Sequence, residues 1–105
     1  MIITDSRGCK FSLTNTKISE LDEKGKPFRW VMLKDIKKHL PKNGCETDTS
    51  MDVERWPTLF CNSGKDATWF GVDDDGRLSI GCKDFGRKET RAIYKAAGIR
   101  RKVSA

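Results

Sequence analysis

The chain reads as a single small α+β domain, residues 1–105, in which an antiparallel sheet of four to six strands carries a basic C-terminal helix. Three observations predict this. Residues 67–82 hold two apolar runs around an acidic turn that ends in glycine, a strong hairpin signal. Arg87 to Ala97 then places small and apolar residues at helical spacing and stops at Gly98. Finally, 105 residues of which 36% are hydrophobic and 34% charged suffice for one modest core.

From the N-terminus, Cys9, Phe11 and Leu13 alternate with polar residues and predict a strand. Thr14 to Leu21 is rich in β-formers and either continues that strand or pairs with it. Asp22 to Pro27 has the composition of a turn. Phe28 to Leu33 is the next strand, with Phe28, Trp30 and Met32 on one side. Lys34 to Leu40 is expected as a short helix: Leu33, Ile36 and Leu40 recur at helical spacing and Pro41 ends it. Lys34, Lys37 and Lys38 form its exposed basic side. Residues 42–55 are expected as a flexible acidic surface loop. Trp56 to Cys61 is a further strand, with Pro57 at a sheet edge.

The hairpin's loop length follows from register. A two-residue turn at Asp75-Gly76 would oppose Leu78 to Asp73 and bury a carboxylate. A three-residue loop, Asp74-Asp75-Gly76, opposes Val72 to Leu78 and Phe70 to Ile80, because a slip of one residue exchanges the faces. The apolar pairing decides for the three-residue loop, with Gly76 left-handed. Trp69, Gly71, Ser79 and Gly81 then share the other face. In the helix that follows, Asp84 is the expected cap. Ala92, Ile93, Ala96 and Ala97 share one side at about 100° per residue, opposite Arg87, Lys88, Arg91 and Lys95.

Charge is distributed unevenly. The last twenty residues hold seven Lys/Arg against the single acid Glu89, whereas the first 85 hold fourteen bases and fourteen acids. The whole formal charge of +6 therefore lies in the C-terminal helix and a basic tail over 99–105. A basic stripe of this kind is the footprint of phosphate recognition. Arg87, Lys88, Arg91, Lys95, Arg100, Arg101 and Lys102 are the candidate phosphate contacts, with Trp69 as a stacking platform. An acidic protein surface would satisfy the same charges, and solvation of a helix face is the plain alternative.

Other chemistry finds little footing. The four cysteines, Cys9, Cys45, Cys61 and Cys82, show no Cys-x-x-Cys pair, and three of them fall on the apolar phase of a strand. They are expected to be core thiols rather than zinc ligands. Asp73, Asp74 and Asp75 are accounted for by turn chemistry. The single histidine, His39, has no nucleophile partner, and no phosphate-binding glycine loop is present. Neither enzymatic activity nor a cofactor is expected. The opening Met-Ile-Ile-Thr-Asp turns polar too soon for a signal peptide, so a cytoplasmic protein without membrane contact, with reduced cysteines, is expected.

Gly76-Arg-Leu-Ser-Ile-Gly-Cys-Lys-Asp-Phe85, followed by a basic helix, resembles the ends of small accessory proteins encoded by phages and prophages. The resemblance covers residues 76–98, about a fifth of the chain, and implies a class that binds host machinery in a bacterial cytoplasm. That class includes DNA-binding regulators and anti-CRISPR inhibitors of defence nucleases. Many such inhibitors are acidic mimics of DNA, whereas this chain is basic. Three functions are thus expected: a non-enzymatic binder of nucleic acid or of a nucleic-acid-processing assembly, a protein inhibitor of a defence nuclease, and a dimeric structural accessory protein.

Overall fold

Three hairpin loops of one sequence type, Asp-x-x-Gly-x, direct the path of the chain. They occur at Asp5–Cys9, Asp22–Lys26 and Asp73–Arg77. In each the aspartate N–H donates to the carbonyl four residues on, at 3.1, 2.8 and 3.1 Å. The glycine is left-handed in each, with φ of 85°, 79° and 82° at Gly8, Gly25 and Gly76. The aspartate Oδ1 accepts from the backbone N–H two and four residues later, at 2.8 to 3.0 Å. The short carboxylate thus fills the loop with acceptors, and glycine supplies the positive φ that closes it.

The computed structural model describes residues 1–40, 46–52, 67–81 and 83–103, and of 46–52 and 67–69 the backbone alone. Strands β1 (Ile2–Thr4), β2 (Lys10–Leu13), β3 (Lys17–Leu21) and β4 (Pro27–Met32) form one antiparallel sheet in sequence order. Helix α1 (Leu33–His39) follows. A second sheet, β5 (Glu46–Asp52), β6 (Ala67–Val72), β7 (Leu78–Ile80) and β8 (Lys83–Asp84), is followed by helix α2 (Arg87–Ala97). Among the described residues the same succession, four antiparallel strands and then a helix, occurs twice.

Both halves feed one core. Phe11, Leu13, Ile18 and Val31 from the first sheet meet Phe70, Leu78 and Ile80 from the second, Ile36 from α1 and Ile93 from α2. Phe11 and Phe85 pack edge to face with ring centroids 5.1 Å apart. A Ser6 N–H donates to Asp84 O at 2.8 Å, tying the first hairpin loop to β8. The α+β class is as expected, but its strands are divided between two sheets rather than laid in one. Helix α1 stands between the two sets of strands in the chain.

The expected hairpin register is present: Phe70 opposes Ile80 and Val72 opposes Leu78. Leu33 and Ile36 of α1 are buried and Leu40 packs against the core, as their spacing requires. Two expectations need correction. The acidic stretch read as a loop over 42–55 contains β5, which pairs with β6 from Glu46↔Val72 to Asp52↔Ala67 with an irregularity between Asp48 and Met51. Among the described strands it stands at the end of the sheet, a position where charged residues are tolerated. Asp84 does not cap α2. It lies in β8, accepts from the Ser79 hydroxyl at 2.6 Å, and leaves Gly86 at the N-cap with no side-chain bond. The expected strand at Trp56–Cys61 lies outside the described residues.

Candidate functional site

Helix α2 is fixed to the second sheet by two polar bonds. The Thr90 hydroxyl accepts from the Leu78 N–H at 3.1 Å, and the Tyr94 hydroxyl donates to Gly76 O at 3.0 Å. Thr90, Ile93 and Tyr94 form its buried face, with Ala92, Ala96 and Ala97 half-buried beside them. The two polar members of that face are not visible from hydropathy. They carry hydroxyls, and only the sheet's backbone shows what they bind. The helix ends at Gly98, left-handed at φ 70°, with Ile99 N–H bonded to Tyr94 O at 2.9 Å and Gly98 N–H to Lys95 O at 3.3 Å. This paired closure of the last turn is what a glycine stop provides.

With that face buried, Arg87, Lys88, Arg91 and Lys95 stand on the exposed side of α2. They are not equivalent. The Arg91 guanidinium donates to Val103 O at 3.2 Å and thereby holds the tail. The side chains of Arg87, Lys88 and Lys95 make no hydrogen bond or ion pair with the described residues. Glu89, the one acid of the region, is turned back over the first turn, where its Oε1 lies 2.8 Å from the place a Cβ would take at Gly86. A carboxylate there complements the helix dipole and leaves the outer side uniformly cationic.

The tail is packed rather than loose over residues 99–103. Val103 is buried, Ile99 packs on the core, and the Lys102 carbonyl presses on Gly76 where a side chain would otherwise stand. Arg101 and Lys102 line a hollow of about 170 Å³ together with Asp73, Asp74 and Asp75 of the hairpin loop. Arg101 is half-buried there, while Arg100 and Lys102 are exposed. The acidic loop thus lies beside the basic tail across this hollow. Within the loop, partial burial pushes the Asp73 carboxyl up. The Arg77 N–H and guanidinium and the Asp75 N–H outweigh this and hold it below the usual carboxylate value.

A second set of cations, on α1, adjoins the first. Helices α1 and α2 pack on each other, and Lys37 Nζ lies 3.6 Å from the Cβ position of Gly98, over the C-terminal end of α2. An ammonium there meets the negative end of the helix dipole. Lys34 and Lys37 line a cleft of about 400 Å³ with Met32, Thr16, Ala96 and Ala97. Lys34, Lys37 and Lys38 are all exposed, and Asp35, the one acid of α1, is buried. The helical layer therefore presents Lys34, Lys37, Lys38, Arg87, Lys88 and Lys95 outward with no exposed carboxylate on either helix.

Trp69, the expected stacking residue, sits in β6 with its neighbour Gly71 opposite Ser79; its side chain lies outside the described residues. Trp30 of β4 is instead an exposed aromatic, 38% accessible, with Lys17 Nζ 5.6 Å from its ring centroid. Among the described residues no group of three or more His, Cys, Asp or Glu converges as a metal site. Cys9 packs against the core, its Sγ 3.7 Å from Lys83 Nζ. No helix among the described residues is long and apolar enough to cross a membrane. Comparison with known protein families, curated proteins and solved structures finds no match.

Proposed function

We propose that the protein is a non-enzymatic binder of phosphate backbones, engaging nucleic acid or a nucleic-acid-processing assembly through the outer surface of α1 and α2. The observation that carries this reading is the adjacency of the two helices. The Lys34, Lys37 and Lys38 side chains extend the surface of Arg87, Lys88 and Lys95, while Asp35 is buried and Glu89 is folded over its own helix end. A surface of several cations without an intervening carboxylate binds a polyanion by releasing its counterions. Arg91 holds the tail in place, and the free cations make the contacts.

Anisotropy of labelled DNA and RNA at 50 and 200 mM salt tests this. Neutralising four to five phosphates of a duplex lowers affinity roughly 100- to 500-fold between those salts, from a slope of about 0.9 per phosphate. Absence of binding at 50 mM overturns the reading.

One observation favours a second reading, in which the protein inhibits a nuclease assembly by direct contact. Phe28 is 42% exposed, and the Arg29 guanidinium lies 4.8 Å from its ring centroid. Exposed aromatics beside arginine are typical anchors of protein interfaces. Under this reading free nucleic acid binds weakly, and replacing Phe28 with Ala releases a co-purifying partner.

A further inference from the structure

The outer face of the first sheet adds a feature that phosphate binding alone leaves unused. Register places Ile2, Ser12, Ser19 and Trp30 in one row across all four strands, through Ile2↔Ser12, Ser12↔Ser19 and Ser19↔Trp30. Ile2 and Trp30, at 58% and 38% exposure, stand at its two ends. Two small serines lie between them, Ser12 half-buried and Ser19 buried, so the row is low in the middle with an aromatic at one end. The only carboxylate within these four strands is Glu20, which turns to the core side, where Arg29 Nε lies at 3.1 Å and Lys83 Nζ at 3.8 Å. The outward face thus carries no carboxylate from any strand, and it carries Lys10 and Lys17.

The row also leads to the helical cations. Met32 follows Trp30 on the same face and lines the cleft with Lys34, Lys37 and Thr16. Lys17, beside Thr16, is the cation over Trp30. The tryptophan face and the α1–α2 surface are therefore parts of one cationic surface that turns the corner at Met32.

We propose that this face binds single-stranded nucleic acid, with an unpaired base stacked on Trp30, phosphates at Lys17 and Lys10, and the strand continuing into the cleft at Lys34 and Lys37. This rests on the phosphate-binding reading above and adds strand preference to it. The charge pattern selects a polyanion. The exposed indole selects one whose bases are free to stack, which a duplex does not offer.

The test compares a labelled oligothymidylate of about 15 nucleotides with a hairpin duplex at 50 mM salt. Stacking on one aromatic is worth about 5- to 150-fold in affinity, so Trp30→Ala is expected to weaken oligothymidylate binding by that factor. Duplex affinity should stay within about twofold, and Trp30→Phe should restore most of the loss. Ser12→Asp, which places a carboxylate in the row without touching the indole, should give the same selective loss and guards against a folding effect at Trp30. Equal losses on both ligands, or none in either variant, overturn the stacking proposal and leave phosphate binding by the helices standing. If the wild-type protein binds neither ligand, both readings fall. If duplex binds and oligothymidylate does not, only the single-strand proposal falls.

Discussion

The Tyr94 hydroxyl donates a 3.0 Å hydrogen bond to the Gly76 carbonyl, so the middle of the basic helix is bolted to the tip of the acidic hairpin. Seen from the sequence these residues belong to separate elements, eighteen positions apart. In the fold they share one joint with the tail, because the Lys102 carbonyl presses on the same glycine. The orientation of the cationic face of α2 depends on this joint and on Thr90.

Tyr94 is the chain's only tyrosine, which makes its titration directly readable. Burial raises its phenol above the usual value; nearby Arg101 opposes this in part, and Asp73 adds to it. A group whose folded pKa is raised contributes stability that is fully present below its unfolded pKa, about 10 for tyrosine. That contribution is lost as pH rises through the folded value. Tyrosinate absorbance is therefore expected to rise with a midpoint above 10, together with loss of stability. At neutral pH, Tyr94→Phe should cost about 1 kcal/mol in denaturant unfolding, since the Gly76 carbonyl loses its partner. A titration at the value of free tyrosine would show that the ring is not held there.

Gly76→Ala should be much more damaging than the corresponding change at Gly25. Both glycines have φ near 80° and carry the same conformational penalty for a side chain, on the order of 1 kcal/mol. At Gly25 nothing lies within 4 Å of the new Cβ, whereas at Gly76 it would collide with the Lys102 carbonyl. The tail backbone must then move, withdrawing Val103 from the core and the Val103 carbonyl from Arg91. Thermal unfolding of the two variants separates the shared penalty from the collision, and equal losses would place the tail elsewhere.

Asp5, Asp22 and Asp73 occupy one loop position in three exposures, so the loop's hydrogen bonds are separable from its charge. Asp5 is buried, and Asp5→Ala leaves the N–H groups of Arg7 and Cys9 without their acceptor, costing about 1–3 kcal/mol. At Asp73 the carboxyl is held below its usual value, so its contribution is complete above about pH 4. That contribution is lost as pH falls through the lower folded value. Acid unfolding of Asp73→Asn, which keeps an acceptor oxygen but not the charge, should accordingly lack this pH-dependent step. An unchanged acid profile would assign it to other carboxylates.

The hairpin loop length and the end of α2 were legible because each rests on a local rule: face alternation decides the register of Val72 and Leu78, and left-handed backbone favours Gly98. The division into two sheets was not, because strand signals do not say which strands pair. Strand β5 gives no strand signal, because the polar residues of Glu46-Thr-Asp-Thr-Ser-Met-Asp52 match a loop's composition. Within the candidate site, the sequence gathers the cations but not their duties. Nothing in the spacing of Arg91 and Lys95 tells that one guanidinium is bonded to Val103 and the other side chain is free. A signal for Trp30 was present in the shared phase of Phe28, Trp30 and Met32, yet which face of a strand is covered is decided by the rest of the fold.

The unequal duties of the α2 cations determine how the phosphate-binding reading should be tested by mutation. Replacing Arg91 would release the tail along with any phosphate, so its loss of binding would be ambiguous. Lys88→Glu with Lys95→Glu removes two free cations and leaves the Val103 contact intact. On duplex DNA this pair is expected to reduce the slope of log K against log salt by about 2, at about 0.9 for each lost contact. Lys34→Gln with Lys37→Gln should reduce it by a similar amount, although these residues lie more than fifty positions away in sequence. Combining the four changes should give the sum of the two reductions, since each neutralised phosphate contributes separately to counterion release. If the α1 pair leaves the slope untouched while the α2 pair lowers it, the interface is α2 alone. If neither pair lowers it, the helices are not the phosphate-binding surface.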